Sequence, residues 1–173
     1  MILDAQKIVK NFGGLTAVNR VTLQVDAGEI VGLIGPNGAG KTTFLNCVAG
    51  TYKPSAGNVA FMGDDTTGAV AEVMCRKGLS RTFQIPLPFP RLTALENVMV
   101  GARFGANHAS KQPARQRAQE ALDFVQFPLD TATPAEQLNA VQLKRLDLAR
   151  ALACGPKPVS YTHLTLPTNV SMC

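Results

Sequence analysis

The run Gly35-Pro36-Asn37-Gly38-Ala39-Gly40-Lys41-Thr42-Thr43 constrains the fold of this chain more than any other feature. It fits the spacing G-x-x-x-x-G-K-[ST]. Glycines at those positions let successive backbone N–H groups converge on one point, and a helix starting at the lysine adds the partial positive charge of its N-terminus. On this reading Gly35, Asn37, Gly38, Ala39 and Gly40 cradle phosphates and Lys41 reaches the β- and γ-phosphates. The Thr42 hydroxyl ligates Mg²⁺, and Thr43 adds a donor toward the α-phosphate. The competing reading is a glycine-rich turn with no ligand. The flanks favour the first. Ile30–Ile34 is apolar on both faces, as a buried central parallel strand would be. After the loop, Phe44, Leu45 and Val48 fall at helical spacing, with Gly50 where a helix C-terminus stops.

Elsewhere the periodicity alternates between strand and helix. Ile2–Val9 and Val18–Val25 alternate apolar and polar residues, which predicts half-buried strands on either side of a turn at residues 11–14. Gly57–Met62 predicts another strand, Ala69–Lys77 a short helix and Leu79–Phe83 a strand. Pro86, Pro88 and Pro90 demand a loop. Thr93 with Glu96 three residues on predicts a capped helix whose apolar face holds Leu95, Val98 and Met99. Two further amphipathic helices are expected over Gln112–Val125 and Asn139–Ala153.

Composition narrows the class. Hydrophobic residues are 46% of the 173 and charged residues 17%, enough apolar surface for a core. The longest apolar run is too short to cross a bilayer, and the N-terminus shows no signal-peptide pattern. Cys47, Cys75, Cys154 and Cys173 form no CxxC pair, so neither a zinc knuckle nor a redox motif is read from their spacing. The net charge of +5 is dispersed without interleaved aromatics, so no nucleic-acid partner is expected.

Three segments carry a family resemblance. "GEIVGLIGPNGAGKTTFLNCVAGTYKPSAGNV" resembles the phosphate loop, helix and following strand of an ABC ATPase. "SRTFQIPLPFPRLTALENVMVG" resembles its Q-loop and the start of its helical subdomain, and "LNAVQLKRLDLARALACGPKP" its signature helix. The wording of "KNFGGLTAVN" and "RTFQ…FP.LTALENV" is most similar to the ATP-binding subunits of branched-chain amino acid importers. The resemblance covers residues 1 to about 157. It implies an α/β P-loop NTPase fold of RecA-like type, with an antiparallel β-subdomain and a helical subdomain at about 85–150, the parallel core being incomplete. It also implies ATP and Mg²⁺ as cofactors, a second ATPase subunit as partner, membrane permease subunits docking at Gln84–Arg91, and a peripheral place on the cytoplasmic face of the membrane.

By position, Phe12 matches the aromatic that stacks on adenine, with an ordinary core Phe as the alternative. Gln84 matches the glutamine that contacts Mg²⁺ and the attacking water, so Gln84 and Lys41 are the catalytic candidates and Thr42 and Gln84 the metal candidates. The signature segment departs from the family: Leu138-Asn139-Ala140-Val141-Gln142 stands where Leu-Ser-Gly-Gly-Gln is usual. Asn139 and Gln142 remain candidates for gripping the γ-phosphate on the opposite subunit, while Val141 crowds that approach. After Lys157 the family's acidic pair is expected, yet Val159-Ser160-Tyr161-Thr162-His163-Leu164 follows, and no carboxylate occurs beyond Asp147. Residues 158–173 resemble translated adapter or vector sequence, a natural tail being the alternative, and His163 is read as adventitious. The resulting expectation is a truncated ABC domain that binds nucleotide weakly and does not hydrolyse it. A soluble ABC ATPase acting on ribosomes or DNA, and a non-enzymatic interaction module, remain as rival readings.

Overall fold

The computed structural model describes residues 1–106 and 110–156, and the backbone of 159–160. The expectations for Lys157, His163, Cys173 and the remainder of the tail lie outside the described residues.

Alternation at the N-terminus produces two long antiparallel strands, β1 (Leu3–Phe12) and β2 (Leu15–Val25), paired from Leu3↔Val25 to Phe12↔Leu15. The turn between them is tighter than the expected 11–14. Asn11 and Phe12 are paired with Thr16 and Leu15, leaving only Gly13 and Gly14 to reverse the chain. Register shifts interrupt the ladder near Ala5 and Ile8, where Lys7 takes φ 49; such bulges bend a strand and increase its twist. β3 (Ala56–Phe61) pairs with the other edge of β1, and the short β4 (Asp64–Asp65) folds back on β3, giving a four-stranded sheet in the order β2-β1-β3-β4.

The inward residues of this sheet, among them Ala5, Ile8, Val59 and Phe61, are buried beneath helix α1 (Lys41–Val48), which contributes Phe44, Cys47 and Val48. Gly50, with φ 78, follows the last turn of α1 as the sequence predicts. Helix α2 (Ala71–Lys77) starts two residues later than expected and adds Met74 to the same core.

A second core lies among three helices, α3 (Ala94–Phe104), α4 (Lys111–Phe124) and α5 (Ala140–Ala153). Val98, Ala102, Ala118, Leu122, Leu146 and Ala149 meet there. α3 and α5 come almost to backbone contact at Gly101, where a Cβ would sit 2.4 Å from the Arg150 carbonyl oxygen. Only glycine permits that approach.

The parallel part of the fold is small. β5 (Ser80–Arg81) pairs in parallel with β6 (Val159–Ser160), so the expected strand at Leu79–Phe83 contracts to two residues. The expectation of a buried strand at Ile30–Ile34 is overturned: the segment belongs to no strand, and Ile30 and Ile34 are 99% and 94% exposed. A strand apolar on both faces needs hydrogen-bonded neighbours and a layer on each side, and among the described residues no ladder reaches it.

Candidate functional site

The chain from Gly35 to Thr43 forms a turn running directly into α1. The Ala39 N–H donates to the Pro36 carbonyl at 3.3 Å, and the first bond of the helix is Phe44 N–H to Gly40 carbonyl at 2.8 Å. Gly40 sits at the N-terminal boundary with φ 80 and offers no side-chain cap, and the first turn holds no acidic residue. The leading amides of α1 are therefore left to whatever anion enters the loop. Lys41 is folded back into the same space, its Nζ donating to the carbonyl oxygens of Gly35 and Pro36 at 2.7 Å each. The Thr42 side chain is exposed and that of Thr43 half-buried, while Asn37, Gly38 and Ala39 are open to solvent.

Phe12 lies at the end of β1, beside Tyr52. The rings meet edge to face with centroids 5.4 Å apart, and the Lys10 ammonium lies 5.1 Å from the Phe12 ring and 5.8 Å from Tyr52. At 43% exposure Phe12 is not a core residue. Sequence reasoning missed Tyr52 and Lys10; Tyr52 follows the helix-ending Gly50 by two residues, and no periodicity links it to β1.

Gln84 is exposed on the stretch after β5 and makes no hydrogen bond among the described residues. Its neighbours are tightly held. The guanidinium of Arg81 donates to the Asn46 side chain of α1 and lies 5.4 Å from the Phe83 ring. Burial lowers the pKa of Arg81. The Phe83 N–H donates to Asp147 Oδ2 at 2.9 Å, and Asp147, buried on α5, also pairs with Arg150 at 2.5 Å. Arg150 in turn donates to the Leu87 carbonyl at 2.9 Å. Asp147 thus joins the segment bearing Gln84 to the helical core. A carboxylate three residues before an arginine, inside a leucine-rich helix, was the available signal.

The proline-rich loop is anchored by Asn97, fully buried on the apolar face of α3. Its Oδ1 accepts from Phe89 N–H at 2.8 Å, and its Nδ2 donates to the carbonyls of Phe89, Leu92 and Thr93. Ile85, Leu87 and Phe89 project outward from this loop. At the start of α5, Asn139 Oδ1 accepts from the N–H groups of Val141 and Gln142 at 3.0 Å each, and Gln142 Oε1 accepts from Asn139 N–H at 2.8 Å. The two side chains form a reciprocal capping box. Their acceptor oxygens serve the helix, leaving the amide Nδ2 and Nε2 groups to reach outward. Val141 is exposed beside them.

A family model described as ABC transporter matches residues 18–159. The chain belongs to the ABC transporter family. Among curated ABC relatives it is 38% identical over 161 residues to a probable branched-chain amino acid transport ATP-binding protein LivG of Archaeoglobus fulgidus, covering 87% of this chain and 63% of that protein. It is 36% identical over 169 residues to the high-affinity branched-chain amino acid transport ATP-binding protein BraF of Pseudomonas aeruginosa, covering 90% and 66%. The sulfate/thiosulfate import ATP-binding protein CysA of Bradyrhizobium diazoefficiens is 38% identical over 159 residues, covering 91% and 45%. The chain therefore spans about two thirds or less of the curated relatives it matches. Among solved structures, the ATP-binding cassette MJ1267 superposes with a TM-score of 0.81 at 31% identity, covering 91% of this chain and 67% of that one. The fold is accordingly that of an ABC cassette, a P-loop NTPase, with the antiparallel sheet and helical core described above. Among the described residues no helix is long and apolar enough to cross a membrane.

Proposed function

We propose that residues 35–43 bind the phosphates of ATP, and that the chain is the front part of an importer's ATP-binding subunit, which couples ATP binding and hydrolysis to transport through a membrane permease. The observation that carries this reading is the uncapped N-terminus of α1 with the Lys41 ammonium folded over it. Neutral carbonyls are weak partners for an ammonium, and a phosphate offers stronger charge-assisted bonds to the same groups. The donor set also suits a phosphate-bound Mg²⁺. The exposed Thr42 hydroxyl is a hard oxygen ligand and Gln84 a second candidate; when bound, the ion neutralises developing phosphate charge. Phe12, with Tyr52 beside it, is the candidate surface for adenine.

Branched-chain amino acids are the transported substrate in this reading, supported by the names of LivG and BraF. The comparable identity to CysA makes sulfate or thiosulfate the substrate to test against. The permease is proposed to dock on Gln84–Arg91, where Ile85, Leu87 and Phe89 face outward from a loop fixed by Asn97. The second ATPase subunit is proposed to lie over the phosphate loop, offered the amide groups of Asn139 and Gln142; a cassette with a dimeric solved structure, MJ0796, superposes with a TM-score of 0.83. Such a subunit would sit peripherally on the cytoplasmic face of the membrane. We further propose that residues 1–157 form a partial ABC domain, with residues 85–150 its helical part and 158–173 a non-native tail. No carboxylate follows Asp147 in the sequence, so the 173-residue chain is proposed to bind nucleotide without turning it over.

Titration with a fluorescent ATP analogue tests the site. Lys41→Ala is expected to weaken binding about tenfold or more, the worth of one charge-assisted contact. Equal affinity in the wild type and the variant, or steady ATP turnover that depends on Lys41, would overturn the respective halves of the proposal.

A further inference from the structure

The ring of Phe12 is held more firmly than an exposed residue at the end of a strand requires. The restraint comes from the chain that leaves α1. The Asn46 carbonyl on α1 accepts from the N–H groups of Thr51 and Tyr52 at 2.9 and 3.1 Å. The same stretch is then fastened along β1. Ser55 N–H donates to the Val9 carbonyl at 2.7 Å, Lys10 Nζ to the Lys53 carbonyl at 2.9 Å, and Asn11 N–H to Ser55 Oγ at 3.0 Å. These bonds set Tyr52 against Phe12 with 82° between the ring planes, and the Lys10 ammonium stands over both rings.

This cluster is not a patch of core. Phe12 and Tyr52 are 43% and 37% exposed, and neither ring belongs to the sheet-side core. It also adjoins the phosphate loop. Lys10 is paired with Val18 of β2, and a Cβ on Gly40 would lie 3.3 Å from Val18 Cγ2. The loop and the two rings therefore rest on one stretch of the β1–β2 pair, a juxtaposition that suits a ligand with an anionic end and a flat aromatic end.

We propose, on the reading of residues 35–43 as the phosphate site and of Phe12 as the adenine surface, that Tyr52 is a positioning residue for the base. Its ring holds Phe12 at a fixed angle, so that the exposed part of the Phe12 ring stands ready to stack. Edge-to-face pairing brings the positive rim of one ring to the negative face of the other, and an ammonium over the rings draws on the same negative faces. A ring ordered before the ligand arrives spares binding part of its entropic cost. The effect is confined to ligands that carry a base.

Isothermal titration calorimetry of the full chain with ATP and with inorganic tripolyphosphate, each with Mg²⁺, separates the two ends of the ligand. Tyr52→Leu is expected to weaken ATP binding about fivefold, the worth of one aromatic pair, and to leave tripolyphosphate unchanged. Tyr52→Phe keeps the ring and is expected to bind ATP within about twofold of the wild type. Equal loss of both ligands in Tyr52→Leu would overturn the proposal, because the residue would then only support the fold. So would a loss of ATP affinity in Phe12→Leu with none in Tyr52→Leu, which leaves the adenine surface in place but gives Tyr52 no part in it. A wild type that binds tripolyphosphate as tightly as ATP overturns the adenine surface and the role of Tyr52 together. One that binds neither ligand removes the phosphate site as well.

Discussion

Gly38 and Gly40 share the same left-handed backbone, φ 83 and φ 80, but not the same surroundings. A Cβ on Gly38 meets nothing within 4 Å, whereas one on Gly40 would lie 2.1 Å from the Ala17 carbonyl oxygen of β2. Gly38→Ala is therefore expected to cost only the strain of its backbone, roughly 1–2 kcal/mol. Gly40→Ala adds a backbone collision that must move β2 or the loop, and is expected to cost more than Gly38→Ala by about 2 kcal/mol or more in urea unfolding. Equal losses would show that the loop is not seated on β2. Asn97 is the other residue on which much depends. Asn97→Ala strands the Phe89 N–H and takes one of two donors from each of three carbonyls, with an expected loss of about 2–3 kcal/mol and faster proteolysis of the loop at 86–90. The motif glycines and Lys41 could be read directly from the sequence because their spacing is the chemistry. Asn97 and Asp147 could not. Each is a polar residue set within an apolar helical stripe, and its worth depends on a carbonyl or amide many residues away.

Among the elements, α3 shows local sequence deciding local structure. The Thr93 hydroxyl accepts from Glu96 N–H at 3.2 Å, and Glu96 Oε2 accepts from Thr93 N–H at 2.9 Å, the capping box expected from sequence. Those Thr93 bonds lower the pKa of Glu96 below its ordinary 4.5. A lowered carboxylate contributes stability that is complete above the ordinary value and is lost as pH falls through the folded one. Thr93→Ala is accordingly expected to cost about 1 kcal/mol near neutral pH. The difference between wild type and Glu96→Gln should narrow in urea melts carried out below pH 4.5. Capped helices and alternating strands were legible because their signals lie within a few residues. Ile30–Ile34 was not, since an apolar run states only that it must be covered. Whether neighbours arrive to cover it depends on strands elsewhere in the sheet, and in this structure Leu33 packs against the sheet-side core while Ile30 and Ile34 stay uncovered.

At the scale of the whole molecule, the polar contacts that join the two cores among the described residues include Asp147 to the Phe83 amide and Arg150 to the Leu87 carbonyl. Asp147→Ala leaves the Arg150 guanidinium without its carboxylate, and an expected loss of about 3 kcal/mol should be accompanied by separate melting of the two cores in calorimetry. Ile30 and Ile34 stand in solvent together, an arrangement that favours self-association. Sedimentation velocity is expected to show mass rising with concentration, and Ile30→Lys with Ile34→Lys should suppress it. The phosphate loop draws its stiffness from elsewhere. Among the described residues no paired strand lies beneath it, so its rest is the carbonyl of Ala17, on a strand at the edge of the four-stranded sheet. Fraying at that edge would loosen the turn at once, and amide exchange at Ala39 and Gly40 should keep time with β2. Anything that gripped the outer side of β2 would tune the loop at a distance, without ever entering it.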